Sequence, residues 1–600
     1  MIKSTKNILA ITAFILIAGF LLIAYYQDVL YTAQDRSVFF TGSSFFHETM
    51  GMPFGFMQWI GGYLTQYFYY PLVGTILLLL IWGVTFLVGI KTFKLKPSYS
   101  SLFILPLSCL TTSIIDLGYW IYCTKFSGYW FSQSLSYLIL LLLLWGFQNC
   151  SQRLKLTWQL IIPLLLYPIL GWYTYLFAIT AVALQIKQNA FKWDAMVGNI
   201  LSCVASVASP LIWNDIAYTT TGMDKIWSAG FPIFQNGRDF SILPSIPFIL
   251  LAITTFILAI FPYNWLEKKL QAKTEKKTNY KHYGFTIVVC AISAFYMWNA
   301  MFKDYNYIIE MRMNKALMEE NWQSIIKEAE NASYPSRTMV MLKDIALMNT
   351  GQLGERAFEL NCDGRDITNP DSLNISIMHI ASPGIYYNYG KVNYAIRWAM
   401  ESGVAYGFTP YVLKNMILAA QATGEKKLYD KYMHLLHKTT FYSDWQPKPT
   451  TKVIIDLQNT FANVLDSDNN NCERYMIEFF SRAYGSRNLT IMELNVFYSM
   501  LYRNPDAFWP AFLAYAAFYP GNTLPQHYQE AYCLFMEIAP QELPFKINLS
   551  KSTIDRYRRF RAEMVNYSQQ GASNEKQKEL MRKDWGGTYW WHHIYGRKSY

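Results

Sequence analysis

The stretch WQLIIPLLLYPILGWYTYLFAITAVALQI, residues 158–186, decides how the chain is organised. It is too long for one membrane-spanning helix, which needs roughly 20 residues, and it is short for two. Pro163, Pro168 and Gly171 lie near its middle, where they favour a break in the helix. If the stretch is a hairpin, the number of membrane crossings changes from even to odd, and every later loop changes sides.

Further apolar segments, each of roughly the 20 residues that one crossing needs, lie before and after this stretch. They are 7–26, 70–90, 99–118, 131–149, 195–213, 244–263 and 284–302. The first follows two lysines, as a signal peptide would, but no A-x-A-like cleavage site comes after it. We therefore expect an uncleaved first helix, a transmembrane part at 1–302 and a soluble part at 303–600.

The distribution of charge favours the hairpin. With about nine crossings, the basic loop EKKLQAKTEKKTNYKHY, residues 267–283, lies in the cytoplasm together with the N-terminal lysines, as the positive-inside rule expects. With one crossing fewer, that loop lies outside. The sequence thus predicts a protein of the bacterial inner membrane with a cytoplasmic N-terminus and a periplasmic soluble part.

Composition excludes several classes of protein. Aromatic residues make up 17 % of the chain and charged residues only 16 %, which is poor in charge for a soluble protein. The net charge of +11 lies largely in short loops between apolar segments, so it does not indicate binding to nucleic acid. No Walker A, Rossmann, G-x-S-x-G or HExxH motif is present, and the cysteines form no C-x-x-C pair, so neither a nucleotide site nor a metal site is predicted. Nothing in the sequence identifies a cofactor.

The soluble part has a helical pattern with related turns. ALMNTGQLGERAF, YYNYGKVNYAIRW and AAQATGEKKLYDKY place Gly351, Gly390 and Gly424 at equivalent positions, and ENWQSIIKEAEN, residues 320–331, resembles an earlier, degenerate copy. The last two glycines are 34 residues apart, which is the period of tetratricopeptide-type repeats. An irregular α-solenoid or bundle explains the pattern equally well. The whole chain is predicted to be all-α, and the aromatic end WGGTYWWHHIYGRKSY is expected to pack on the soluble part or to enter the headgroup region.

Polar residues stand out in the first outer loop, 27–70, which is far longer than a hairpin connection needs. The stretch YYQDVLYTAQDRSVFFTGSSFFHETMGMPFGF, residues 25–56, holds three acids (Asp28, Asp35 and Glu48) and Arg36 among many aromatic residues. Two amphipathic segments in the loop, SSFFHETM and FGFMQWIGGYLTQYFYY, are suited to lying along a membrane surface.

This layout resembles the GT-C class of membrane glycosyltransferases, which have an inward N-terminus, a long first outer loop, many crossings and often a soluble periplasmic tail. The resemblance implies a polyprenyl-phosphate-linked sugar donor and an acid, soon after the first helix, that acts as general base or metal ligand. Asp35 stands at that position, and Asp28 and Glu48 are alternatives. Arg36, Lys225 and Arg238 would supply positive charge for the departing phosphate from loops on the same face.

Two other interpretations remain open. The chain as a whole also resembles an uncharacterised bacterial family of multi-pass membrane proteins with helical soluble tails, a resemblance that implies no activity. The protein would then be a membrane-anchored scaffold whose tail gathers periplasmic partners. In that case Asp28 and Asp35 solvate the end of a helix, and Arg36 pairs with one of them.

Overall fold

Gly171 divides the stretch 158–186 into two helices. The computed structural model describes residues 5–189, 193–236, 239–261, 278–360, 362, 380–461 and 486–596. The helix Gln152–Leu170 ends at Gly171, whose φ of +52° lies in the left-handed region that suits glycine. A second helix, Tyr173–Asn189, follows at once and packs against the first. The stretch therefore folds as a helical hairpin.

We number the α-helices of the described residues in chain order. Those of the first half are α1 Thr5–Phe20, α2 Gln27–Asp35, α3 Ser43–Met50, α4 Gly55–Thr65, α5 Pro71–Thr92, α6 Ile104–Ile115, α7 Tyr129–Asn149, α8 Gln152–Leu170, α9 Tyr173–Asn189, α10 Trp193–Ile216, α11 Met223–Ile226, α12 Ile246–Ile260 and α13 Thr278–Ala300. A π-helical turn, Leu21–Tyr25, extends α1, and 3-10 turns cover Gln66–Tyr69, Ser100–Phe103, Gly118–Tyr122 and Leu243–Ser245. The short strands β1 Phe234–Asn236 and β2 Asp239–Ser241 pair antiparallel, a small departure from the all-α prediction.

Several helices of the first half are long and apolar enough to cross a bilayer. Within the described residues there are 7 such helices: Asn7–Tyr25, Pro71–Thr92, Tyr129–Asn149, Gln152–Leu170, Ala195–Ile216, Leu243–Ile260 and Tyr283–Ala300. Ser100–Ile115 is apolar but shorter, and α9 has 17 residues. These two segments would have to cross as well for the predicted topology to hold, so the number of nine crossings stays a prediction.

Exposed aromatic side chains lie at both ends of these helices. Tyr70, which precedes α5, is 56 % exposed, and Trp298, near the end of α13, is 47 % exposed. Near the opposite end of α5, Lys91 lies over the ring of the exposed Trp145. Such aromatic residues are typical of the two membrane–water interfaces. Their placement agrees with insertion of this helical bundle into a membrane.

The loops that the predicted topology places on one face contact one another. The backbone N–H of Phe54, in the first loop, donates to Pro168 O at the hairpin turn over 2.7 Å. The N–H of Trp172, in the same turn, donates over 2.8 Å to Ala229 O in the loop after α10. Ser127, between α6 and α7, donates to Val38 O over 3.0 Å. These bonds gather the predicted outer loops at one end of the bundle.

The second half is also helical. Its α-helices are α14 Tyr305–Met318, α15 Trp322–Glu330, α16 Arg337–Asn349, α17 Leu353–Arg356, α18 Ser382–Asn388, α19 Val392–Tyr406, α20 Pro410–Thr423, α21 Lys426–His437, α22 Lys452–Phe461, α23 Leu489–Tyr502, α24 Pro505–Phe518, α25 Gln526–Ile538, α26 Lys551–Gln569, α27 Asn574–Trp585 and α28 Tyr589–Tyr595. Consecutive helices pack in pairs, such as α19 with α20 and α20 with α21. The loop LDSDNNNCERYMIE, residues 465–478, lies outside the described residues.

The turns that the sequence singled out share one geometry. Gly351, Gly390 and Gly424 have φ of +66°, +74° and +71°. In each turn, the N–H of the residue after the glycine donates a hydrogen bond to the carbonyl five residues before it, as Gln352 N–H does to Leu347 O over 2.8 Å. This is the hydrogen bond of the Schellman motif, which ends many helices. Glu320 takes the same conformation with φ of +51°. The similarity of these turns in sequence therefore corresponds to a similarity in structure. Their assignment to the tetratricopeptide class stays a prediction.

The aromatic C-terminal segment packs within the second half of the chain, as one of the two expectations had it. Trp590 is fully buried, and its Nε1 donates to Glu530 O over 2.7 Å. His592 lies against the ring of Phe358, and His593 accepts or donates a hydrogen bond with the Tyr589 hydroxyl at 3.0 Å. Both histidines therefore have packing roles.

Candidate functional site

Helix α2 is held between the bundle and the start of the second half of the chain, which we call the tail. The hydroxyl of Tyr26, at the N-terminal end of α2, lies 2.6 Å from Ile115 O and 3.0 Å from Phe302 O. Val29 and Leu30 are buried against the core, and α2 also packs on α14 of the tail. The predicted first outer loop is therefore covered by the tail at α2 and does not lie free there.

A cavity of about 170 Å³ lies at this junction. Its lining comes from α2, the turn before α5, and the tail: Tyr31, Thr32, Asp35, Arg36, Tyr69, Met311, Asn314, Lys315, Met318, Glu319, Tyr411, Lys414, Tyr442 and Trp445. Two smaller cavities, of about 50 Å³ and 10 Å³, also include Arg36. We call the largest of these the junction cavity.

Asp35, the predicted catalytic acid, lines the junction cavity and is paired with a lysine of the tail. The Lys414 Nζ lies 2.6 Å from Asp35 Oδ1, and the two side chains are 6 % and 11 % exposed. The Tyr442 hydroxyl lies 3.0 Å from the same carboxylate oxygen and 3.0 Å from Gln34 Oε1. Asp35 therefore belongs to a buried ion pair. It is not a solvated residue at a helix end, as the alternative interpretation assumed.

Arg36 has other partners than the neighbouring acids. Its Nη2 donates to Ile380 O over 2.7 Å, and its guanidinium lies 3.5 Å from the centre of the Tyr411 ring. Asp28 is paired instead with Arg312 of α14, with Nε and Oδ2 2.7 Å apart. The alternative interpretation, in which Arg36 pairs with Asp28 or Asp35, therefore does not hold, because these acids pair with Arg312 and Lys414 of the tail.

The tyrosines of the junction cavity keep their protons at neutral pH. Burial, and then the nearby Asp35 carboxylate, raises the pKa of Tyr31 and of Tyr442. Burial is also the main cause that raises the pKa of Tyr69. A phenol that stays neutral is a hydrogen-bond donor, so these hydroxyls can donate to an anionic or hydroxyl-bearing ligand.

The remaining candidates lie elsewhere. Glu48 is exposed on α3 and Lys225 is exposed on α11; neither lines the junction cavity. Arg238 lies outside the described residues. Of the predicted residues, the structure brings together Asp35 and Arg36 in one cavity.

Sequence reasoning missed the tail residues of the cavity, above all Lys414. The one signal for Lys414 is its neighbourhood, since it lies in the apolar run PYVLKNMIL of α20 and is only 4 % exposed. A lysine at such a position is rarely fully buried unless it is paired. That signal predicts a partner without saying which residue it is.

The cavity fits a general base better than a metal ligand. Asp35 is bound by Lys414 and Tyr442, Arg36 lines the same cavity, and these positive charges disfavour a divalent cation. Among the described residues, no group of three His, Cys, Asp or Glu side chains could hold a metal ion. A carboxylate held by a lysine and a phenol can accept a proton from a hydroxyl that enters the cavity.

The comparisons with known proteins identify the family of the chain but do not indicate an activity. No curated protein and no solved structure matches the chain significantly. One family model matches residues 1–596, nearly the whole chain, and its description is "Family of unknown function (DUF6057)". The protein, with its apolar helical bundle and its junction cavity, therefore belongs to the uncharacterised family DUF6057.

Proposed function

We propose that the protein is a GT-C-like membrane glycosyltransferase that takes a sugar from a polyprenyl-phosphate-linked donor on the periplasmic side of the bacterial inner membrane. The observation that carries the proposal is the position of Asp35, which follows the first apolar helix by a short helix and faces a cavity. In this proposal Asp35 takes the proton of the acceptor hydroxyl. The tail, in the periplasm, closes the cavity from outside.

Positive charge for the leaving phosphate comes from the cavity in this proposal. Arg36 keeps the role that the sequence assigned to it, and Lys315 of the tail lines the same space, whereas Lys414 is neutralised by Asp35. Lys225 is exposed outside the cavity, so it is a weaker candidate for phosphate binding. Cations next to a departing phosphate stabilise the charge that develops in the transition state.

The test has to separate chemistry from stability, because Asp35 is buried. Removing one partner of a buried ion pair destabilises a protein by about 3–5 kcal/mol, so Asp35→Asn alone lowers both folding and activity. We expect the double variant Asp35→Asn/Lys414→Met to recover most of the melting temperature, since no buried charge is then left alone. Transfer of radiolabelled sugar from polyprenyl-phosphate donors in membrane vesicles should still fall by about 10²- to 10⁴-fold, the usual effect of losing a general base.

Asp28→Asn and Glu48→Gln are matched controls for this experiment. Asp28 is paired with Arg312 outside the cavity, and Glu48 is exposed. Both variants should keep transfer within a few-fold of the wild type. If the Asp35→Asn/Lys414→Met variant is both stable and fully active, Asp35 is not a base and the transferase proposal is wrong.

The scaffold is the second candidate, and an open groove on the tail favours it. The groove has a volume of about 640 Å³ and lies along α26, next to Glu537 of α25. Val565, in its lining, is 44 % exposed. The experiment is to complement a deletion strain with each variant. If the protein is a scaffold, we expect Val565→Glu to fail and Asp35→Asn/Lys414→Met to restore growth. The transferase predicts the reverse result.

A further inference from the structure

Trp445 is an aromatic residue of the junction cavity whose ring meets no other ring and no cation among the described residues. The other aromatic rings of the lining are covered. Those of Tyr31, Tyr411 and Tyr442 each carry a cation, 4.1, 3.5 and 4.9 Å from the ring centre. The ring of Tyr69 stacks on a phenylalanine of the tail. Trp445 packs against the apolar cluster of α20 and α21 and is half-buried. Its ring is therefore the aromatic surface of the cavity that is left for a ligand.

The lining also offers hydrogen-bonding groups that no side chain or backbone group of the described residues uses. They are the Glu319 carboxylate, the Tyr69 hydroxyl and the indole N–H of Trp445. Glu319 is exposed and directly follows α14. A carboxylate only accepts hydrogen bonds, whereas a phenol and an indole N–H donate them. A ligand that satisfies all three groups must donate to Glu319, accept from the other two and present a flat face to the indole.

The charges of the lining are nearly balanced without a ligand. Lys414 is paired with Asp35, and Lys315 lies one helical turn before Glu319. Arg36 is the remaining cation of the lining, and it donates to a backbone carbonyl. An anion inside the cavity would meet two carboxylates and a single cation without a carboxylate of its own. The lining therefore favours a ligand that is neutral where it binds, and Arg36 stays available to the leaving phosphate of the proposed function.

We infer that the junction cavity binds one ring of a saccharide, with the C–H face of the sugar on Trp445 and its hydroxyls on Glu319 and Tyr69. Sugar hydroxyls both donate and accept hydrogen bonds, and the C–H groups of a sugar face match the negative face of an aromatic ring. The cavity of about 170 Å³ corresponds to roughly six water molecules of the liquid, which is space for one sugar ring. The ligand is thus a monosaccharide or the terminal sugar of a longer glycan.

This inference deepens the proposed function, on which it rests only for the role of the bound sugar. A hydroxyl of the sugar that faces Asp35 would be the one that loses its proton and receives the transferred group. Trp445 and Glu319 belong to the tail, whereas the proposed base belongs to the first loop. The tail would therefore select a saccharide as the acceptor, and binding of that saccharide does not depend on the transfer.

Calorimetry on the full-length protein, in nanodiscs of phosphatidylcholine, tests the inference with the methyl glycosides of glucose, galactose, mannose and N-acetylglucosamine, and with sorbitol. We expect at least one glycoside to bind with a dissociation constant in the millimolar range. Sorbitol has the hydroxyls but no ring face, so it should bind at least about tenfold more weakly. Trp445→Leu should weaken the glycoside by about tenfold, and Trp445→Phe, which keeps an aromatic face, by less than about threefold. Glu319→Ala should also weaken it by about tenfold, because a charged acceptor is lost.

Trp398→Leu and Glu425→Ala are the matched controls. Trp398 is half-buried in α19 and Glu425 is exposed on a turn, and neither lines the cavity, so the affinity should change by less than about twofold. Melting temperatures without ligand show whether Trp445→Leu is folded, and Glu319→Ala, at an exposed position, provides the test if it is not. The inference is overturned if no glycoside binds at tens of millimolar, if sorbitol binds as tightly, or if the controls weaken binding as much as the cavity variants do.

Sugar transfer in membrane vesicles, measured with the same variants, separates this inference from the transferase. Glycoside binding with the expected variant pattern, but without transfer from polyprenyl-phosphate donors, would support this site and refute the proposed function. Transfer that depends on Asp35 and is unchanged by Trp445→Leu, without glycoside binding, would support the proposed function and refute this inference. If both are correct, the glycoside that binds most tightly should itself receive the radiolabelled sugar.

Discussion

Glu493, in α23, is a carboxyl group that folding makes harder to ionise. Burial raises its pKa from 4.5 to about 6, although the Tyr528 hydroxyl donates to its Oε1 over 3.1 Å. The folded chain therefore binds more protons at this position than the unfolded chain between pH 4.5 and 6. By linkage, the contribution of Glu493 to stability is greatest below this window and falls as the pH rises through it.

Glu493→Gln keeps an acceptor for Tyr528 and removes the charge. We expect the variant and the wild type to have the same melting temperature at pH 4. At pH 7.5 the variant should melt at a higher temperature, because its free energy of unfolding is larger by up to about 2 kcal/mol, one pKa unit being worth about 1.4 kcal/mol. Thermal unfolding in detergent at the two pH values measures the difference. Glu425→Gln, on an exposed turn, is the control. A gain of equal size at both pH values would contradict the prediction.

At the scale of residues, the sequence predicts one half of the candidate site. Asp35 and Arg36 stood out because they are charged residues next to an apolar helix, and both line the junction cavity. Asn314, Lys315 and Lys414 were not predicted, because no local pattern tells which tail residue meets a loop hundreds of positions earlier. The wrong pairing of Arg36 has the same cause.

At the scale of elements, three of the four related turns end their helix at a glycine, and the fourth, at Glu320, has no glycine. Gly351 and Gly424 have open space where a Cβ would stand, so only the left-handed backbone requires glycine there. A Cβ at Gly390 would lie 2.5 Å from Leu457 Cβ. Glu320 adopts the left-handed conformation with a side chain, which costs about 1–2 kcal/mol.

These turns give a graded series of variants. We expect Glu320→Gly to stabilise the protein by about 1 kcal/mol and Gly351→Ala to destabilise it by a similar amount, because glycine has the lower energy in this conformation. Gly390→Ala should be worse than Gly351→Ala, since it adds a steric clash to the same backbone strain. Melting temperatures of the three variants check the order. A stable Gly390→Ala would show that the α22 segment can move away.

The break at Gly171 and the repeated turns were predictable for the same physical reason. Backbone conformations with positive φ favour glycine, and most of the described residues that adopt them here are glycines, so these turns leave a mark in a single sequence. The two-stranded pair β1–β2 left no comparable mark, because each strand has only 3 residues. A break or turn can thus be predicted from the sequence where the backbone conformation favours one type of residue, here glycine.

At the scale of the whole molecule, the tail and the predicted outer loops meet at one end of the bundle. The Thr41 N–H and the Lys438 carbonyl, 2.7 Å apart, join the first loop to α21. The contact requires both segments to be on the same side of the membrane. It agrees with an even number of crossings after α1, and therefore with the odd total that the charge distribution predicts.

Reporter fusions test this topology. A reporter that is active only in the cytoplasm should work when fused after Lys277, in the basic loop, and should fail when fused after Lys343, in the tail. The reason is that a single crossing, α13, separates the two positions. A periplasmic reporter should give the opposite pair of results. Cytoplasmic activity at Lys343 would refute the orientation.

The distance along the chain between Asp35 and Lys414 has a consequence for how the protein is made. The two residues are 379 positions apart, so at synthesis rates of 5–20 residues per second roughly 20–75 s pass between their translation. During that interval the Asp35 carboxylate has no lysine partner, so it must stay hydrated or be shielded by another protein. A chain that stalls before Lys414 exposes an unfinished surface of acid and tyrosines, and membrane quality-control proteases would distinguish it from a completed chain by that surface.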